Sequence, residues 1–127
     1  RQFAAFVRRW RGFISGAVGY LLTPPRPKGD RTGWAGLQLM DPSSGESLVF
    51  AYRLSDWRAR RMLRLSGLDE GARYVVRRAD WQTDVPGESE EPERQVSGDV
   101  LMREGLEVHL PRDFHALVYS LTPLKPD

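Results

Sequence analysis

The residues of this chain equipped for chemistry are its carboxylates, its two histidines, its serines beside glycine and its four tryptophans. The densest run of acids comprises Asp80, Asp84, Glu88, Glu90, Glu91, Glu93 and Asp99, with Arg94 as the lone base among them. Two carboxyl groups held roughly 5–10 Å apart across a cleft can cleave an acetal as a pair. The acids at 84–93, however, alternate with Pro86, Gly87, Ser89 and Pro92. Such a segment does not hold two side chains rigidly, so it reads as a solvated loop. His109 and His115 lie close enough in sequence to meet across a hairpin, but the chain has no cysteine and few acids nearby to complete a metal shell. Ser15-Gly16, Ser44-Gly45 and Ser66-Gly67 are turn steps, none of them inside a G-x-S-x-G elbow. No glycine-rich phosphate cradle appears, since Gly12, Gly16 and Gly19 follow no strand. The expectation is a chain with no catalytic residue, no cofactor and no metal site.

Aromatic residues carry the remaining candidates. Trp34, Trp57 and Trp81 fall at strand ends or in loops, where an indole either stacks on a sugar ring or packs in the core or against another domain. Trp10 reads as a packing residue. Trp57 sits within a basic cluster of Arg53, Arg58, Arg60, Arg61 and Arg64. Basic and aromatic side chains together suit single-strand binding. No RNP or OB signature accompanies them, and the charge is polarised rather than uniformly basic. Arg1, Arg8, Arg9, Arg11, Arg26, Lys28 and Arg31 gather at one end against the acids of 80–99, leaving a net charge of only +2. No nucleic-acid partner is expected.

These residues must be positioned by two kinds of element. Phe3, Phe6, Val7, Trp10, Phe13 and Ile14 follow helical spacing and share one face, so residues 1–16 are expected to form an amphipathic helix whose apolar stripe must be buried against a partner. Pro24, Pro25, Pro27, Gly29 and Gly33 mark residues 23–33 as a loop. From Trp34 the apolar period becomes two. Leu48, Phe50, Tyr52 and Leu54 share one face, and Asp41-Pro42-Ser43-Ser44-Gly45 turns the chain between this strand and that at 34–40. Met62–Leu65 and Tyr74–Arg78 are expected to pair next, followed by a loop or ragged edge strand over 80–97. Strands at 106–110 and 114–121 complete the set. The last is apolar on both faces and is expected at the centre of its sheet. The class is therefore mainly β: an antiparallel β-sandwich of about seven to eight short strands over 17–127, preceded by one helix.

The 127 residues, 40% of them apolar, suit one domain with a real core. Arg8-Arg9 before Gly12–Leu22 has the outline of a twin-arginine leader, but no small-residue cleavage site follows and the stretch is too short to span a bilayer. No membrane partner is expected, and the lack of cysteine fits a cytoplasmic location. A first residue of Arg1 rather than Met gives the expectation that the chain was cut from something longer.

The order of segments adds a resemblance. Tyr20-Leu21-Leu22-Thr23-Pro24-Pro25 precedes Trp34-Ala35-Gly36-Leu37-Gln38, Asp41-Pro42 and Leu48-Val49-Phe50-Ala51-Tyr52-Arg53. Leu65-Ser66-Gly67-Leu68-Asp69, Ala72-Arg73-Tyr74, Ser97-Gly98-Asp99-Val100-Leu101-Met102 and Gly105-Leu106-Glu107-Val108-His109-Leu110-Pro111 follow. From about residue 10 to 122 this series resembles the C-terminal region of glycoside hydrolase family 36, the α-galactosidase and raffinose-synthase relatives. The resemblance implies a sandwich packed behind a catalytic (β/α)8 barrel that carries an aspartate nucleophile and an aspartate acid/base. Neither catalytic motif is present in these residues, and 127 residues are too few for the barrel. The implied role is a non-catalytic accessory domain partnered by an upstream barrel of the same polypeptide, with residues 1–16 as the barrel's last helix and a route to homo-oligomers. The alternative is a stand-alone carbohydrate-binding β-sandwich.

Overall fold

Period-two alternation and turn-forming residues divide the chain into short strands. The computed structural model describes residues 16–23, 32–78 and 93–124. In chain order the elements are β1 (Val18–Leu21), β2 (Trp34–Met40), β3 (Ser47–Arg53), β4 (Arg60–Leu63), β5 (Arg73–Arg78), β6 (Arg94–Ser97), α1 (Gly98–Arg103), β7 (Leu106–His109) and β8 (His115–Pro123). Six strands form one antiparallel sheet in the order β1-β2-β3-β8-β5-β6, and β4 pairs with β7 in a separate two-stranded sheet. The mainly antiparallel β class read from the sequence is thus present, in two sheets of very unequal size. The helix expected over 1–16 lies outside the described residues apart from Gly16.

Turn chemistry sets the β2–β3 register. The Asp41 carboxylate accepts from the Ser43 amide at 3.0 Å, Gly45 N–H donates to the Asp41 carbonyl at 2.8 Å, and Gly45 adopts φ +77°. Trp34 then lies opposite Arg53, and Met40 opposite Ser47. β8 is central as expected, flanked by β3 and β5. Leu117, Tyr119 and Leu121 point to one side and Val118 to the other, and all four are buried.

One face of the large sheet meets the small sheet and α1. The core joins Trp34, Val49, Ala51, Tyr74, Val76, Leu117, Tyr119 and Leu121 to Leu63, Leu101, Leu106 and Val108. Leu48, Phe50 and Tyr52 do share a face, and it is the one turned away from this core; β3 ends at Arg53, before Leu54. In register, that outer face carries a row of Leu21, Leu37, Phe50 and Val118 across four strands.

Two expectations are corrected. Met62–Leu65 and Tyr74–Arg78 do not pair: β4 joins β7, and β5 lies between β8 and β6. The glycine-containing connection at 67–71 reads as a hairpin locally, but it carries the chain from one sheet to the other. The edge-strand alternative for 80–97 is present as β6 at 94–97, on the edge of the large sheet, and α1 follows it with Ser97 as N-cap, its hydroxyl accepting from the Val100 amide at 3.2 Å. Phe114 belongs to the turn before β8, at φ +60°.

Candidate functional site at the Trp57 corner

The connection from β3 to β4 begins at Arg53, a buried guanidinium that must find acceptors. It donates through Nη1 to the Leu110 carbonyl at 2.7 Å, through Nε and Nη2 to the Asp56 carbonyl, and it pairs with Asp113 at 3.2 Å. One arginine thereby ties the turn before β8 to the turn after β3. The neighbouring backbone is equally occupied: Leu54 N–H donates to Gly33 at 2.8 Å, Gly33 N–H to Ser55 at 3.0 Å, and Thr32 bridges Ser55 in parallel.

Asp56 and Arg58 close the next step. The Asp56 carboxylate accepts the Arg58 backbone amide at 2.7 Å and its side chain through Nε at 3.2 Å and Nη2 at 3.0 Å. Hydrogen bonds from the Arg58 side chain, then from its amide, hold the Asp56 carboxyl down at about 2. The same pairing raises the Arg58 guanidinium. The Trp34 indole donates to the Arg58 carbonyl at 3.1 Å, fixing the far side of the connection.

Trp57 stands between these two anchors, 88% exposed, with the Arg58 guanidinium carbon 5.7 Å from its ring centroid. Beside it opens a hollow of about 670 Å³ whose polar walls are Thr32, Arg53, Ser55, Asp56, Arg58 and Asp113. Two arginines and two aspartates face it, so its formal charge cancels. The chemistry on offer is an apolar plate beside charged donors and acceptors.

Of the residues singled out by sequence, Trp57 is therefore exposed at a formed hollow. Trp34 is not a surface plate: it is fully buried in the core, 0% exposed, and supports the corner from below. Trp81 lies outside the described residues, as do Phe3, Phe6, Val7, Trp10, Phe13 and Ile14. His109 and His115 do not meet across one hairpin; they sit in different sheets, opposite Arg60 and Arg53 respectively. Among the described residues no three His, Cys, Asp or Glu side chains come together, and no helix is long and apolar enough to cross a membrane. The arginine cluster is dispersed, with Arg53 buried and Arg60 paired to Glu107 at 3.4 Å. Sequence reading missed Asp56, Asp113 and the role of Arg53. The Asp56-Trp57-Arg58 triplet carried a local signal, because an aspartate readily accepts from the amide two residues on. Asp113 is separated from Arg53 by much of the chain and carried none.

With the geometry in view, three comparisons bear on identity. Residues 34–121 match the model of the glycosyl hydrolase family 36 C-terminal domain. No curated protein matches the chain. Among solved structures, the chain is similar to the galactosidase domain of an α-galactosidase–sucrose kinase, AgaSK, at TM-score 0.70 and 22% identity, covering 95% of this chain and 15% of that one. It is also similar to the α-galactosidase from Lactobacillus brevis at TM-score 0.70 and 17% identity, covering 98% and 16%. The family 36 α-galactosidase AgaA from Geobacillus stearothermophilus gives TM-score 0.68 and 24% identity, covering 97% and 15%. The chain thus spans about one-sixth of these proteins or less. The matched segment runs from the start of β2 into β8, taking in the small sheet and all of the large one except β1 and the last two residues of β8, and the chain belongs to the glycosyl hydrolase family 36 C-terminal domain family.

Proposed function

We propose that this chain is the non-catalytic C-terminal accessory domain, a β-sandwich in its packing, of a larger glycoside hydrolase whose upstream (β/α)8 barrel hydrolyses terminal α-galactosides. The observation that carries the reading is the family match over 34–121 in a chain spanning only 15–16% of the α-galactosidases it resembles. The local chemistry supports it. Asp56 and Asp113 are two carboxylates lining one hollow, the residue types a glycosidase uses. A general acid, however, must hold its proton near the working pH. Asp56 is ionised far below neutrality by Arg58 and so holds no proton to deliver to a leaving group there, while Asp113 is salt-bridged to Arg53 at 3.2 Å.

An accessory domain acts by offering surface. The outer row runs from the buried Val118 through Phe50 and Leu37 to Leu21, 70% exposed at the β1 edge, and that open end suits contact with an adjoining layer. Release of p-nitrophenol from p-nitrophenyl α-D-galactopyranoside tests the division of labour. The parent polypeptide should cleave it and the 127-residue chain should not; removal of residues 17–127 should leave the parent insoluble or thermally weakened. Turnover by the chain alone, or an equally stable and active parent without it, would overturn the proposal.

A further inference from the structure

We propose that the Trp57 hollow is a binding site for a neutral hexopyranoside, an inference independent of the accessory-domain reading. Three observations converge on this ligand class. The first is the plate: an indole 88% exposed leaves its ring open to a ligand, and its six- and five-membered rings match the C–H face of a pyranose. The second is what stands beside it. The hollow, about 670 Å³, falls within the range of about 300–1,000 Å³ common to small-ligand sites. Asp113 is 45% exposed and Arg58 46%, so a carboxylate and a guanidinium remain accessible to hydroxyl groups, which both donate and accept.

The third is charge and rigidity. Arg53 with Asp113 and Arg58 with Asp56 leave no net charge, which disfavours a phosphate or a nucleotide and suits an uncharged polyol. Every support of the plate is already bonded: Asp56 to Arg58, the Asp56 carbonyl to Arg53, and the Arg58 carbonyl to the buried Trp34 indole. Little order remains to be imposed when a ligand arrives. A protein hot spot also favours Trp and Arg, but it sits within a desolvated apolar patch. Here the surroundings of the ring are polar, so the sugar is the better occupant. Phe114, next to Asp113 and held at φ +60°, adds a strained aromatic residue to the same end of the molecule, as binding sites often do.

Titration of the full 127-residue chain with methyl α-D-galactopyranoside, methyl α-D-glucopyranoside and raffinose, followed by tryptophan fluorescence and by amide chemical shifts of residues 55–58, tests the proposal. At least one sugar should saturate the signal with a Kd on the order of millimolar. Trp57→Ala should weaken binding about tenfold or more, and Trp57→Phe, which keeps a stacking face, by only a few-fold. Because Trp57 is exposed, both variants should keep the wild-type circular dichroism and Tm, so lost binding is not lost folding. No saturation by any of the three, equal binding by Trp57→Ala, or a shift at 55–58 that tracks protein concentration instead of sugar would overturn it. None of these outcomes bears on whether the parent polypeptide cleaves α-galactosides.

Discussion

Asp56 stores a pH response in a single side chain. Its folded carboxyl titrates at about 2, below its ordinary 3.8, so between those values the unfolded chain binds more protons than the folded one. Stability from this group is complete above about pH 4 and falls away as pH drops towards 2. Asp56→Asn should therefore be less stable than wild type at pH 6, and the gap in Tm should narrow in acid; an unchanged gap from pH 6 to pH 2 would count against the assignment. Gly98 is the second residue with a sharp expectation. Its amide donates to the Ala72 carbonyl at 2.8 Å, and an added Cβ would overlap the Asp69 carbonyl and lie 3.1 Å from the Tyr74 ring. Alanine gains about 1 kcal/mol over glycine in a helix, but overpacking against fixed atoms costs about 1–3 kcal/mol or more. Here the obstruction is backbone, so Gly98→Ala should be destabilising by about 2 kcal/mol in urea denaturation. The quoted segments around Asp69, Tyr74 and Gly98 were legible as an ordered set, and the structure gives the reason: they meet at one point. What brings them together is tertiary contact, which no local spacing records.

Among the elements, a buried glutamine ties the large sheet to the connection after β4. Gln38 Nε2 donates to the Ser66 carbonyl at 2.9 Å and to the Ser47 hydroxyl at 3.2 Å, while the Ser66 amide donates to Gln38 Oε1 at 2.9 Å. Gln38→Ala would orphan both Ser66 groups, at about 1–3 kcal/mol for each one left buried and unsatisfied. The expected loss is about 2–3 kcal/mol, with faster hydrogen exchange at the Ser66 amide as the local sign. Elements with a strict period or a strong turn, β2, β3, β7 and β8, were readable from sequence to within a residue or two. The partners of β4 and β5 were not, since a glycine turn between two apolar runs looks alike whether the runs pair or part. Helix α1 was hidden by its length: six residues show less than two turns, too few to establish a period, and only the Ser97 cap and Asp99 marked its start.

At the scale of the whole molecule, the two sheets share one core, so they should unfold together. Leu106 is buried on the small sheet within the same cluster as Val76 and Leu121 on the large one. Leu106→Ala should cost about 2–5 kcal/mol. Far-UV circular dichroism and tryptophan fluorescence should still report one coincident transition. Two separated transitions would mark the β4–β7 ribbon as an independent unit. Arg94 helps close the layers at the β6 edge: its guanidinium lies 5.5 Å from the Tyr119 ring centroid and reaches the Glu107 carbonyl. The basic end of the sequence and most of the acids of 80–99 lie outside the described residues; among the described residues arginines pair with acids at several separate points.

The central place of β8 has a consequence for how the protein is made. Its partner β3 ends at Arg53, and β8 starts only at His115. A ribosome adding about 5–20 residues per second needs several seconds to cover that interval. Throughout it, the β1-β2-β3 meander waits with the β3 edge open, a row of unpaired amides and carbonyls along Val49 and Ala51 that invites pairing with another nascent chain. Synthesis slowed between residues 54 and 114 should therefore raise the aggregated fraction, whereas slowing after residue 123 should not.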